Sequence, residues 1–138
     1  MKSKILSVNI GEPKLEEWNG ISIKTSMRRS PVPQITVETS RIVGDAFGSP
    51  SHGTTDAILY VFGYKSLLEY AAKLGRFHYD YGNLGENVTV EDLDEEQVSV
   101  GDVFRIGQVL AQATCPRTPC PKVNILMKNP DAQEQMKR

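Results

Sequence analysis

The chain has 138 residues, with 16 Lys and Arg against 17 Asp and Glu and a net charge of −1. That near balance argues against a sequence-independent nucleic-acid binder, which needs a strongly basic surface, and no apolar run reaches the length of a membrane-spanning helix. Hydrophobic content of 39% and charged content of 24% suit one soluble globular domain over residues 1–138, and a chain this long buries roughly two-thirds of its unfolded surface without a disulfide or metal to hold it.

In chain order, the opening "MKSKILSVNIGEPK" is too short and too polar in its apolar stretch for a signal peptide. Within it, Leu6, Val8 and Ile10 alternate with polar neighbours and predict a half-buried strand over 4–10. Residues 21–24 and 34–40 read the same way. "AILYVF" (57–62) is apolar throughout, which suits a strand covered on both faces. "GYKSLLEYAAKLG" (63–75) predicts a helix with Tyr64, Leu67, Leu68, Ala71 and Leu74 on one face and Gly75 as its stop. Residues 86–90, 102–107 and 108–115 complete the strands. A helix follows Pro121, with Val123, Leu126 and Met127 on a shared face, and Asn129-Pro130 predicts the cap of another. Many short strands with a few helices predict a mainly β fold, a β-barrel with helical additions, rather than a βαβ fold.

The two cysteines, Cys115 and Cys120, are no secreted disulfide framework, so free thiols in a reducing cytoplasm are expected. Cys115 falls in phase with Val109, Ala111 and Ala113 and reads as core. Cys120 sits in "TCPRTPCPK", between Arg117 and Lys122 and ahead of a predicted helix start. Both cations and the helix dipole favour its thiolate, the form that attacks electrophiles and binds soft metals. Pro116, Pro119 and Pro121 restrict the backbone around it. The alternative is that Cys120 is a small buried hydrophobe. C-x4-C without further cysteines is not a zinc spacing.

Two other stretches carry polar chemistry. "SIKTSMRRS" (22–30) packs Lys24, Arg28 and Arg29 among hydroxyls, a composition that suits a phosphate or a solvated basic turn. "GDAFGSPSHGTTD" (44–56) is a loop with Asp45, His52 and Asp56, and "NLGENVTV" (83–90) puts Glu86 and Asn87 where a turn enters a strand. Asn87 either caps that turn or reads the polar edge of a heterocycle.

Taken in order, "KTSMRRSPV", "GD" (44–45), "HGTTDAILY", "GNLGENVTVEDLDEEQVSVGDVFRIG" and "PRTPC" resemble a MOSC domain over residues from about 3 to 128. The resemblance is to the small bacterial MOSC proteins that detoxify N-hydroxylated purines. It implies a β-barrel that binds the molybdenum cofactor, a molybdopterin with a terminal phosphate, and a motif cysteine, here Cys120, that ligates molybdenum. It implies reduction of small N-hydroxylated substrates with electrons from an external donor protein. It places Lys24, Thr25, Ser26 and Arg29 on the phosphate, Asn87 against the pterin, Arg117 beside the sulfur ligand, and His52 and Asp56 along the pocket. The other function kept open is a carrier without turnover, with Cys120 holding a persulfide or the domain handing on cofactor. Thr54 stands where the family has the second glycine of its His-Gly-Gly stretch, a change that would either narrow the pocket or alter the loop backbone. The family also continues past its post-cysteine helix with an aromatic-rich strand that helps complete the barrel, so the expectation here is a barrel short of its last strand, with either an open edge or an edge sealed by a neighbour.

Overall fold

The structure, a computed structural model, describes residues 2–38, 41–46, 57–75, 80–117 and 122–137. Its main sheet has four strands in the order β4-β1-β6-β5, with β1 at Ile5–Ile10, β4 at Ser30–Val32, β5 at Val61–Gly63 and β6 at Val88–Val90. β1 runs antiparallel to both β4 and β6, while β5 and β6 run parallel. Helix α1, Tyr64–Lys73, lies between those two in sequence. A single βαβ crossover is therefore present inside the otherwise antiparallel, mainly β fold. A parallel pair cannot be joined by a tight turn, and the helix supplies the return path.

Two hairpins stand beside this sheet. β2 (Lys14–Trp18) and β3 (Ile21–Thr25) pair through a two-residue turn in which Asn19 and Gly20 both take positive φ, 52° and 75°. Asn-Gly is the dipeptide that this turn favours. β7 (Val103–Ile106) and β8 (Val109–Gln112) form the second hairpin. The described residues thus make a mainly β fold with helices in three separate sheets, and among them no barrel closes. Among the described residues of the expected strand over 34–40, which leave out 39 and 40, there is an isolated bridge from Val37 to Ile42.

The apolar core gathers on the helices. Leu67, Tyr70 and Ala71 of α1 meet Val123, Leu126 and Met127 of α2 (Lys122–Met127) and Ala132 and Met136 of α3 (Ala132–Met136), with Met27 and Leu84 filling the space between. The buried face of α1 is rotated from the predicted one: Tyr70 goes inward while Tyr64 and Leu68 stay exposed. α3 is capped at Asp131 rather than Asn129, whose side-chain oxygen accepts from the Asp131 N–H at 2.9 Å. Cys115, expected in the core, is exposed. β8 ends at Gln112, so the alternation that placed the cysteine inward stops before it.

The first turn of α1 has no cap from its own N-cap residue, Gly63. Glu95, in a 3-10 turn at Glu95–Gln97, accepts instead from the Gly63 N–H at 2.6 Å and from the Ser66 hydroxyl. A carboxylate at this position satisfies free amides and complements the positive end of the helix. No described helix is long and apolar enough to cross a membrane.

Leu126 is buried where the helices meet, whereas Leu110 on β8 is 65% exposed. Urea unfolding should show a loss of about 2–5 kcal/mol for Leu126→Ala and a change within about 0.5 kcal/mol for Leu110→Ala.

Candidate functional site

The site is organised by the Gly-Asn-Leu-Gly-Glu-Asn block, residues 82–87. Glu86 is wholly buried, and its carboxyl folds back to accept from the N–H groups of Gly82 at 2.5 Å and Leu84 at 3.2 Å. The loop so formed turns two carbonyls towards Arg29. Gly82 O accepts the Arg29 N–H at 2.9 Å, and Gly85 O accepts from Nη1. Both glycines have positive φ, 89° and 88°, and a Cβ on Gly82 would lie 2.4 Å from the Arg29 carbonyl oxygen. Only glycine meets both demands there. Burial pushes the Glu86 carboxyl pKa up, and the surrounding N–H groups and the Arg29 charge partly oppose it.

Arg29, 3% exposed, meets Asp45 in a two-pronged ion pair, Nε to Oδ1 at 2.9 Å and Nη2 to Oδ2 at 3.0 Å. The Asp45 side chain is 4% exposed and also accepts from the Gly11 N–H at 2.8 Å and from Asn87 Nδ2 at 3.2 Å. A pair this deep is favourable only because its remaining lone pairs and protons also find partners. Asn87 continues the network. Its Nδ2 also donates to Asn9 O at 3.2 Å, and its Oδ1 accepts the Tyr60 N–H at 3.0 Å. Asn9, the most buried residue of β1, donates through Nδ2 to Glu86 O at 3.1 Å. The sequence pattern placed Leu6, Val8 and Ile10 inward, but the strand is covered on both faces and its polar side enters this network.

These contacts revise the sequence expectation for the basic turn. Lys24 is exposed on β3. Arg29, which the resemblance places on the phosphate, is buried, because Asp45 and Gly85 hold its guanidinium inside. Thr25 and Ser26 are buried; Thr25 Oγ1 accepts from the Met27 N–H at 3.1 Å, and the Ser26 hydroxyl donates to Ala46 O. Arg28 joins β2 to α2, with Nε on Glu16 at 3.1 Å and Nη2 on Leu126 O at 2.8 Å. Asn87 has both amide hydrogens bound within the protein. Arg117 does reach the cluster. Its guanidinium carbon lies 4.1 Å from the centre of the Tyr60 ring, and a Cβ on Gly85 would sit 3.4 Å from both of its terminal nitrogens. Cys120, His52 and Asp56 lie outside the described residues. Sequence reasoning did not single out Tyr60 or Asn9. The apolar run around Tyr60 masked its polar edge, and nothing local marked Asn9.

With this geometry in hand, residues 48–138 match the model of the MOSC domain. The chain belongs to the MOSC family. It is 31% identical over 121 residues to the uncharacterized protein YflK of Bacillus subtilis, covering 86% of this chain and 54% of that one. A protein named as a reductase from Gibberella moniliformis is 26% identical over 131 residues, 93% of this chain and 23% of that one. The crystal structure of YiiM from Geobacillus stearothermophilus superposes with a TM-score of 0.71 at 25% identity, over 96% of this chain and 60% of that one. The MOSC chain thus spans about half the length of YflK and three-fifths of this YiiM.

Two measurements test the buried network. Arg29→Ala leaves Asp45 charged and unpaired, and should lower stability by about 3–5 kcal/mol in urea unfolding; Arg29→Lys should recover only part, because an ammonium cannot make the two-pronged contact. The raised Glu86 pKa has a definite sign. The native state holds this proton more tightly than the unfolded chain, so the stability it contributes is full below the unfolded value of 4.5 and is lost as pH rises through the folded value. Stability measured from pH 4.5 upward should therefore fall more steeply in the parent than in Glu86→Gln.

Proposed function

We propose that this MOSC chain binds the molybdenum cofactor and reduces N-hydroxylated purines or amines, with Cys120 as the molybdenum ligand. The observation that supports this most is convergence. The basic turn at 24–29, Asp45, the 82–87 loop and Arg117 are far apart in sequence, yet they meet around Arg29 and Tyr60. Cys120 follows Arg117 by three residues, so chain length alone keeps their Cα atoms within about 11 Å.

The donor set fits the group. A cysteine thiolate is a soft ligand suited to the metal, and Arg117 and Lys122 favour its ionised form. Lys24 is exposed and offers a charge to the cofactor's phosphate. Arg29, Thr25, Ser26 and Asn87 support this surface from within: their polar groups are engaged with the protein and hold the turn and the loop in place. Arg117, fixed on Tyr60, keeps a cation next to the cysteine segment. When bound, the cofactor supplies two-electron chemistry, and an N-hydroxylated base with two electrons and two protons becomes the amine and water. The electrons come from an external donor protein, and a cytoplasmic setting keeps the thiol reduced. The printed name of the Gibberella relative, a reductase, agrees with this class of reaction.

Protein made in a cofactor-competent host should contain near-stoichiometric molybdenum by elemental analysis. Cys120→Ala should keep the parent's circular dichroism and lose the metal and the reduction of hydroxylaminopurine. Lys24→Glu should lose most of the cofactor without a change in melting temperature. Parent protein that carries an extra sulfur atom on Cys120 by intact mass, and no molybdenum, would replace the reductase with the carrier; neither adduct would overturn both.

A further inference from the structure

The hairpin of β7 and β8 leaves one of its edges unused. Its register pairs Ile106 with Val109 across the turn at Gly107 and Gln108. Val109 and Ala111 therefore turn their backbone N–H and C=O groups towards β7, while Leu110 and Gln112 turn theirs away. The bonds just past the strand keep the same alternation: the Ala113 N–H donates to Asp102 O at 2.8 Å, and Ala113 O accepts the Gly101 N–H at 2.8 Å. Among the described residues no strand pairs with the outer edge of β8. The side chains beside that edge are uncovered as well. Leu110 is 65% exposed, and Val103, on the same face of the hairpin, is 61% exposed.

Edge strands are ordinarily protected by a charge, a proline or a bulge. β7 carries such a guard, because Arg105 is exposed on it. β8 carries none. Residues 106–116, "IGQVLAQATCP", hold no charged side chain, their one proline follows the strand, and the pairing with β7 is regular. A partner for this edge has to be extended, uncharged and free along its own edge. A second β8 meets all three conditions, and two-fold symmetry then matches the two copies group for group.

We propose that this chain associates with a second copy of itself through β8, edge to edge and antiparallel, about a two-fold axis at Ala111. In that register Leu110 of one copy faces Gln112 of the other, and the two residues exchange N–H···O=C bonds in both directions. The symmetric pair does the same. Ala111 meets its own counterpart on the axis, where a small side chain allows close approach. An axis at Leu110 would draw Gln108 of the turn into the pairing, and an axis at Gln112 would draw in Thr114, past the end of the strand; only the axis at Ala111 uses the outward groups of the strand alone. The product is a four-stranded sheet in the order β7-β8-β8-β7, with each Leu110 lying over the aliphatic stem of a Gln112. So short a contact falls below the about 800 Å² per partner of a stable interface, so the dimer is weak and forms at high concentration. In dilute solution the chain is single and Leu110 stays exposed.

Sedimentation equilibrium from about 10 μM to about 1 mM should show the parent in reversible monomer–dimer exchange, with a Kd on the order of 100 μM. Leu110→Lys/Gln112→Lys sets lysines directly opposite each other across the new strand pair and should raise the Kd about tenfold or more. Leu110→Lys/Gln112→Glu sets opposite charges there instead and should keep the Kd within about threefold of the parent's. Both variants change only exposed positions, and their circular dichroism should match the parent's. Ala111→Cys, oxidised with diamide, should give a disulfide-linked dimer, because a pair on the axis has Cα atoms about 4.5 Å apart, within reach of a disulfide. Arg105→Cys should give no more dimer than the parent, whose Cys115 and Cys120 set the background, because three strand spacings put its two copies about 14 Å apart. A parent that stays monomeric to about 1 mM overturns the proposal, and that measurement needs no variant to fold. An unchanged Kd in the double-lysine variant, or equal weakening in both charge variants, overturns the register at Ala111. Arg105→Cys linking as readily as Ala111→Cys overturns the edge-to-edge arrangement.

Discussion

Arg29 and Asp45 face each other almost completely out of water, and the rest of the site is arranged around what that demands. Removing two charges from solvent costs several kcal/mol per ion, and their attraction offsets this only when every remaining polar atom has a partner. Here the partners come from three other places in the chain: the Gly85 carbonyl, the Gly11 amide and the Asn87 side chain. The ion pair therefore does not sit in the fold as an isolated contact. It fixes the relation between the amino-terminal strand, the basic turn and the 82–87 loop, and a network satisfied at each member specifies one arrangement of those segments.

The basic turn divides its cations by depth. Lys24 points outward, Arg28 ties the β2–β3 hairpin to the end of α2, and Arg29 is sealed inside. Four residues in a row from Thr25 carry hydrogen-bonding side chains or core sulfur that serve the protein itself. Rigidity at the turn is thus built from below, while Lys24 stays exposed to solvent. Arg28 adds a mechanical link, because α2 directly follows the cysteine segment.

Much of this was visible in the sequence. The amphipathic runs of α1 and α2, the Gly-Glu-Asn block and the order of the MOSC motifs were all readable, because periodicity and turn chemistry are local. Asn19-Gly20 also announces its hairpin, although only the second strand was anticipated. What was not readable depends on distant neighbours. Nothing local tells a buried Arg from an exposed one; Arg29 is inside because Asp45, 16 residues on, comes to meet it. Asn9 interrupts an apolar alternation and looks like an outward residue until β6 and the 82–87 loop close over it. Tyr60 reads as one more apolar residue in a run. The parallel pairing of β5 with β6 was missed for a similar reason: both strands are three residues long, too short for their pattern to reveal a partner.

Glu95 lies 32 residues beyond the amide it caps at the start of α1. During synthesis the helix sequence leaves the ribosome well before that carboxylate does. A ten-residue helix is marginal by itself in water, so α1 spends that interval without the contact that closes its first turn. Its formation is tied to the arrival of β6, which emerges in the same stretch and pairs with β5. Helix and sheet in this half of the chain are therefore expected to form in a single late step during translation, not as a helix waiting for its sheet.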